Sequence, residues 1–256
     1  MILRSKLRLR LIGPAKTTIL LSVVFFFAFF APEASAQKKF ARSFPAGQSV
    51  RLSLMNRTGT VSVEGWDRSE ISITATLEAP AANITPNTSG GTIDINVVRD
   101  NQGRGEVGNV NFVVRVPFNT VVDIETRIGN LMVSNVRSGL VRAYISSEGD
   151  ITLTNIAASA VSAENGLGDI FFDGEVHEGG TYRFSSMSGR INLRIPFTSS
   201  FRLVATAPST RNISLGAFSG GDMNFGDGRR VLGKFGTGSA TVTVTNKRGS
   251  IAFLTR

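Results

Sequence analysis

Beyond its first 36 residues the chain alternates apolar and polar positions almost from end to end. The first runs are Val50-Arg51-Leu52-Ser53-Leu54, Val61-Ser62-Val63, Ile71-Ser72-Ile73-Thr74-Ala75, Ile93-Asp94-Ile95-Asn96-Val97 and Val110-Asn111-Phe112-Val113-Val114-Arg115-Val116. Strict alternation puts one face in a core and the other in water, which is the pattern of half-buried strands. Helical spacing is nearly absent, and Thr, Val, Ile and Ser dominate, as strands prefer. The pattern predicts an all-β protein.

A second regularity lies on top of the first. Gly, a small or polar residue, an aliphatic, any residue and another apolar residue recur as Gly59-Thr60-Val61-Ser62-Val63, Gly129-Asn130-Leu131-Met132-Val133 and Gly149-Asp150-Ile151-Thr152-Leu153. Three further copies start at Gly168, Gly189 and Gly249, and Arg211-Asn212-Ile213-Ser214-Leu215 repeats the pattern without the glycine. From Leu131 the aliphatic position returns at Ile151, Ile170, Ile191 and Ile213, in steps of 20, 19, 21 and 22 residues. Other alternating segments precede these turns, at Val122 to Thr126, Val141 to Ile145, Val161 to Ala163, Tyr182 to Phe184 and Phe201 to Ala205. Each unit therefore reads strand, glycine turn, strand, second turn. The second turns carry Asn135, Asn155 and Gly174, residue types that tolerate positive φ.

One unit of about 20 residues cannot bury its apolar stripe alone, but stacked units can. The spacing predicts a single-stranded parallel β-helix or β-solenoid-like repeat, with Ile151 between Leu131 and Ile170, and Leu153 between Val133 and Phe172. An antiparallel β-sandwich is the alternative, since its turns also recur every 8–12 residues or so; the in-register glycines and asparagines favour the solenoid. Residues 37–256 read as one domain. Within it, 37–118 is a less regular part with loops at Ala79–Gly91 and Asn101–Gly108, and 119–217 carries the regular repeats. Residues 218–256 comprise a glycine-rich interruption, Phe218–Gly238, and a closing hairpin, Ala240–Leu254. Both ends read as caps that blunt the terminal edges.

The leader has a basic stretch up to Lys16, an apolar run from Ile19 to Ala31, then Pro32-Glu33 and Ala34-Ser35-Ala36. That is the layout of a secretory signal peptide, with cleavage between Ala36 and Gln37. A spanning helix needs about 20 apolar residues, and Pro32-Glu33 ends this run short of that. The expectation is an exported protein with no transmembrane segment in its mature chain, placed in the periplasm, on the outer surface or outside the cell. Net charge is +9, but residues 37–256 hold 23 basic and 18 acidic side chains, so much of the excess belongs to the leader. The remaining basicity is diffuse, without a basic stripe interleaved with aromatics, and gives no support for nucleic-acid binding. It does permit attraction to anionic envelope polymers.

Candidate chemistry is sparse. The absence of Cys removes thiol nucleophiles, disulfides, Cys-ligated zinc and iron–sulfur clusters. His177 is the sole histidine, between Glu175 and Glu178, and reads as a solvated loop residue. Trp66 could stack on a sugar ring, although a cap over the core is the simpler reading. The one carboxylate pair with repeat geometry is Asp150 and Asp169, on adjacent rungs about 4.8 Å apart at the backbone, with Arg190 next in the stack. Such a pair could bind a cation or share a proton. The variety at the equivalent positions (Thr60, Asn130, Arg190, Asn212, Ser250) instead favours turn chemistry with offsetting charges. The residues call for no cofactor; Gly220–Gly228 is a single calcium-nonapeptide-like segment, where such sites need several stacked copies.

Val61-Ser62-Val63-Glu64-Gly65-Trp66-Asp67 after Asn56-Arg57-Thr58-Gly59-Thr60 resembles the opening of a bacterial putative-adhesin family of β-strand-repeat domains. Its continuation is similar too: Val116-Pro117, the Asp123–Leu131 segment, the Gly-Asp-Ile repeats at Gly149 and Gly168, and Thr245–Ile251. The resemblance covers most of residues 37–256 and implies a β-solenoid-like domain of exported or envelope-anchored proteins, without catalytic residues. Three functional readings follow. The first is a non-enzymatic adhesion or envelope-scaffolding protein whose partner is an envelope polymer, surface glycan or protein. The second is a carbohydrate-active β-helix, and the third is an envelope-stress regulatory or sensor module that binds a partner through an exposed strand.

Overall fold

The computed structural model describes residues 37–47, 50–226 and 228–256. The leader and Ala36 lie outside the described residues. The N-terminal portion supplies β1 (Lys38–Pro45), β2 (Arg51–Met55), β3 (Val61–Trp66), β4 (Glu70–Leu77), β5 (Asn87–Ser89), β6 (Thr92–Asn96), a four-residue helix α1 (Val97–Asp100) and β7 (Val110–Pro117). The regular repeats supply β8 (Val121–Ile128), β9 (Leu131–Ser134), β10 (Leu140–Glu148), β11 (Ile151–Ile156), β12 (Ala160–Leu167), β13 (Ile170–Gly174), β14 (Thr181–Ser188) and β15 (Ile191–Ile195). The chain ends with β16 (Phe201–Thr206), β17 (Ile213–Ser214), β18 (Asp222–Gly226), β19 (Arg230–Phe235), β20 (Ala240–Asn246) and β21 (Ile251–Thr255).

Two sheets form, one from the strand before each glycine turn and one from the strand after it. Sheet A runs β1-β4-β7-β3-β9-β11-β13-β15-β21-β17, and sheet B runs β18-β19-β16-β20-β14-β12-β10-β8-β2-β6-β5. Pairing between rungs is parallel, and the predicted stacking holds: Ile151 pairs with Leu131 and Ile170, and Leu153 with Val133 and Phe172. The solenoid-like fold is the observed one.

The order of rungs departs from the order of the sequence at both ends. At the N-terminal end β2–β3 lies between β6–β7 and β8–β9. At the other end β20–β21 is not a closing hairpin but a rung, inserted in parallel between β14–β15 and β16–β17. Ile213 therefore does not stack on Ile191; Ile251 sits between them. The physical reason is that every rung presents the same alternating stripe, so any rung can follow any other, and the loop lengths decide.

Antiparallel strands blunt the ends. β4 and then β1 extend sheet A beyond β7, β5 flanks β6, and β19 and β18 extend sheet B beyond β16. Three of these strands fall in segments that the sequence reads as irregular: β5 within Ala79–Gly91, and the β18–β19 hairpin within Phe218–Gly238. Val97 begins α1 rather than continuing β6, because the Asn96 side chain accepts the Arg99 N–H at 2.8 Å and starts a turn.

The core lies between the sheets. In sheet B it includes Ile124, Ala143, Ala163, Phe184 and Val244 in one row, and in sheet A Val133, Leu153, Phe172, Leu193 and Phe253. The alanines leave room for Phe172, whose ring centroid is 5.1 Å from that of Phe184. At the far end Phe201, Phe218, Phe235 and Phe253 close the core with ring separations of 5.0–6.2 Å. Offset and edge-on ring packing of this kind stabilises beyond burial alone.

Candidate functional site

The repeated turns bring together the residues singled out in the sequence. Gly129, Gly149, Gly168 and Gly189 stack directly, each with positive φ (Gly149 at 146°), and Gly59 and Gly249 extend the column. A Cβ on Gly129, Gly149, Gly168, Gly189 or Gly249 would run into the carbonyl of the glycine one rung before. The repeated shape of the turn thus depends on close backbone approach as well as on φ. At the second turns Asn135 and Asn155 take the expected positive φ, at 60° and 53°. Gly174 does not; it is glycine because a side chain would meet the Ile156 carbonyl and the Phe172 ring.

Asp150, Asp169 and Arg190 occupy the position after the glycine on successive rungs, and the structure gives them a shared task. Asn130 Oδ1 accepts the Asp150 N–H at 2.9 Å, Asp150 Oδ1 accepts the Asp169 N–H at 2.8 Å, and Asp169 Oδ1 accepts the Arg190 N–H at 2.7 Å. Asn111 does the same for Thr60 at 2.9 Å. Each side chain so satisfies a turn amide of its neighbour. The second oxygen of Asp169 binds the Arg190 guanidinium at 2.8 and 3.0 Å. The two carboxylates are linked in series along a ladder rather than facing each other across a groove. Buried amides inside the same turns hold the column from within: Asn165 donates to the Gly149 carbonyl at 2.7 Å, and Asn246 to that of Gly189 at 2.9 Å.

A charged cluster that the sequence reading missed lies at the opposite turns. Asp173, 3% exposed, binds Arg194 at 2.6 Å and Arg256 at 3.3 Å. Asn155 donates to Asn135 at 2.8 Å and accepts from Arg256 at 3.3 Å, which joins this cluster to the asparagine column. Asp173 holds the Arg194 pKa above its ordinary value through that hydrogen bond. Asp173 and Arg194 occupy equivalent repeat positions and were open to detection; Arg256 arrives only through the inserted rung.

His177 is half-exposed, with Nε2 4.0 Å from the Glu175 carboxylate. Its backbone N–H donates to the Tyr182 hydroxyl at 2.7 Å, which donates onward to the Ala158 carbonyl at 2.9 Å. Burial pushes the Tyr182 phenol above its usual pKa. Trp66 is not a core cap. It is half-exposed on the outer side of sheet A beside Pro117, its Nε1 donates to the Glu70 carbonyl, and the guanidiniums of Arg68 and Arg115 lie 5.0 and 5.8 Å from its ring centroid. Within the Gly220–Gly228 segment, Asp222–Gly226 forms β18; among the described residues no three His, Asp or Glu side chains gather to hold a metal.

The outer face of sheet B divides by charge. Toward its N-terminal end Asp123 binds Arg142 and Arg51, and Asp94 binds Arg99, so opposite charges offset one another. The hydrogen bond that Arg142 donates to Asp123 raises the Arg142 pKa. At the C-terminal end a shallow groove of about 370 Å³ opens over β16, β18 and β19, lined in part by Arg202, Val204, Asp222, Leu232 and Lys234. A second depression of about 270 Å³ lies at the other end, against Phe44, Pro45 and Gly91. Neither touches Asp150 or Asp169. Among the described residues no helix is long and apolar enough to cross a membrane.

Parallel rungs, glycine turns and side-chain ladders that hold one rung to the next define a β-solenoid repeat domain. The chain belongs to the Toastrack DUF4097 family, whose model matches residues 34–253, and this bears out the resemblance carried by the Val61–Asp67 and Gly-Asp-Ile motifs. Among solved structures it is similar to a putative cell adhesion protein from Clostridium sporogenes, at 12% identity and a TM-score of 0.52, over 86% of this chain and 98% of that one. It is also similar to a putative adhesin from Bacteroides fragilis, at 9% identity and a TM-score of 0.41, over 86% and 99% of the two chains. Identities this low speak to fold alone. No curated protein matches the sequence.

Proposed function

We propose that this chain is a non-enzymatic binding protein of the bacterial envelope, exported by its leader, that presents its sheet faces for adhesion or scaffolding to an envelope polymer, surface glycan or partner protein. The observation that carries this reading is the fate of the repeated carboxylates. Glycoside hydrolysis needs two carboxyl groups flanking the scissile bond, roughly 5–10 Å apart across a cleft. Asp150 and Asp169 instead give an oxygen each to the next rung's amide, and Asp169 is further tied to Arg190. What the molecule offers outward is ladders of polar and charged side chains on two sheet faces, a geometry suited to repeated weak contacts. Adhesion-type names among the structural neighbours agree with it.

The test is to incubate the purified protein with a panel of envelope and plant polysaccharides, measuring both retention and new reducing or unsaturated ends. Retention without new ends is the expected result. Turnover that disappears in Asp150→Asn or Asp169→Asn would establish the carbohydrate-active reading instead.

A further inference from the structure

The charge division of sheet B points to where a ligand binds. Arg183 on β14, Arg202 on β16, Lys234 and Arg230 on β19, and Arg229 just before β19 are all exposed, and none forms an ion pair among the described residues. Against them, Asp222 is the one acidic side chain in the described residues of β14, β16, β18, β19 and β20. Toward the other end of this sheet Arg51, Arg99 and Arg142 pair with aspartates; here the cations stand together without an ion pair.

Register turns this charge into a site. Lys234 lies between Arg202 and Asp222 in one row across β16, β19 and β18. Val204 and Leu232 pair in the next row, with Leu232 40% exposed, and that row continues through Thr243 to Arg183. The result is the 370 Å³ groove, with an aliphatic floor, a guanidinium and an ammonium on one rim, and a carboxylate and threonine hydroxyls within the same face. Sugar rings carry an apolar C–H face that packs on aliphatic side chains, and hydroxyls that a carboxylate accepts. An acidic sugar adds a carboxylate for Arg202 and Lys234. Arg202 and Lys234 stand on neighbouring strands, about 4.8 Å apart at the backbone, and Arg183 lies two strands from Arg202 across β20 on the same face, so a linear polymer laid across the strands can meet more than one cation. A bilayer of anionic lipid fits less well, since Asp222 lies within the contact face.

We propose that the outer face of β14, β20, β16 and β19 binds a linear acidic polysaccharide, with its carboxylates on Arg202 and Lys234 and its ring faces on Val204 and Leu232. This rests on the binding-protein reading above and names its ligand class and site.

The experiment measures binding of the full chain to polygalacturonate, to neutral dextran, and to vesicles of phosphatidylglycerol and phosphatidylcholine. It compares the wild type with Arg202→Gln/Lys234→Gln and with a control of equal charge change at the glycine turns, Arg57→Gln/Arg127→Gln. Circular dichroism and the unfolding midpoint verify that each variant is folded. The expected result is salt-sensitive binding to polygalacturonate, none to dextran, and weaker binding to vesicles. The groove variant loses at least about tenfold in affinity and the control less than about threefold. Equal losses in both variants, vesicle binding tighter than polymer binding, or polygalacturonate bound no better than dextran would each overturn the site. If retention on whole envelope fragments survives in the groove variant, the site falls and the binding-protein reading stands; if the wild type is retained on nothing, both fall.

Discussion

Gly149 shows how much of this fold rests on an absent side chain. Its φ of 146° is one that L side chains rarely adopt, and an added Cβ would press into the Gly129 carbonyl. Gly149→Ala is therefore expected to cost about 2 kcal/mol or more in denaturant unfolding. Gly139, which has open space around its Cα and no positive φ, provides the contrast: Gly139→Ala stays within about 0.5 kcal/mol. Tyr182 gives a second residue-scale test, set by pH. Its phenol is raised by burial, so the unfolded chain, with a phenol pKa of about 10, releases that proton first. Stability from this group is intact below about pH 10 and is lost as pH rises through the folded pKa. Denaturant midpoints followed into alkali should fall from about pH 10 upward, and Tyr182→Phe should remove that part of the slope.

Single strands were the most legible elements, because period-two alternation is a local property. Most alternating segments singled out in the sequence lie within strands, and the glycine-led copies gave the register of β9, β11, β13 and β15 directly. Less visible were β5, β18 and β19, where Asn87-Thr88-Ser89 and Asp222-Met223-Asn224-Phe225 sit among glycines and polar residues that mark loops; edge strands need only one partner and carry little apolar signal. The candidate site divided in the same way. Asp150, Asp169 and Arg190 were found together because they repeat in sequence. The row of Arg202, Lys234 and Asp222 was not, because it joins antiparallel strands outside the period. The aromatic end closure is the element-scale point of leverage: Phe253 on β21 packs on Phe201 and Phe218. Phe253→Ala should cost about 3–5 kcal/mol, read as a drop in the denaturant midpoint.

For the whole molecule the decisive feature is the exchange of rung order. β20–β21 fills the slot between β14–β15 and β16–β17, so β16, β19 and β18 form the end of sheet B and the unneutralised cations collect on one face. Sequence periodicity could not show this. A stack of similar stripes is indifferent to the order of its members, and the insertion follows from the long excursion between Ile213 and Ala240. Since the chain has no Cys, paired cysteine substitutions on the exterior of sheet A report the order directly. Ala252 pairs with Asn192 on one side and with Ser214 on the other, whereas Asn192 and Ser214 are two strands apart, about 9.6 Å. A disulfide needs Cα atoms within about 7 Å. Mild oxidation should cross-link Asn192→Cys with Ala252→Cys, and Ser214→Cys with Ala252→Cys, but leave Asn192→Cys with Ser214→Cys free. Ready cross-linking of Asn192→Cys with Ser214→Cys, with neither Ala252→Cys pair linking, would contradict the inserted rung and the cation face built on it.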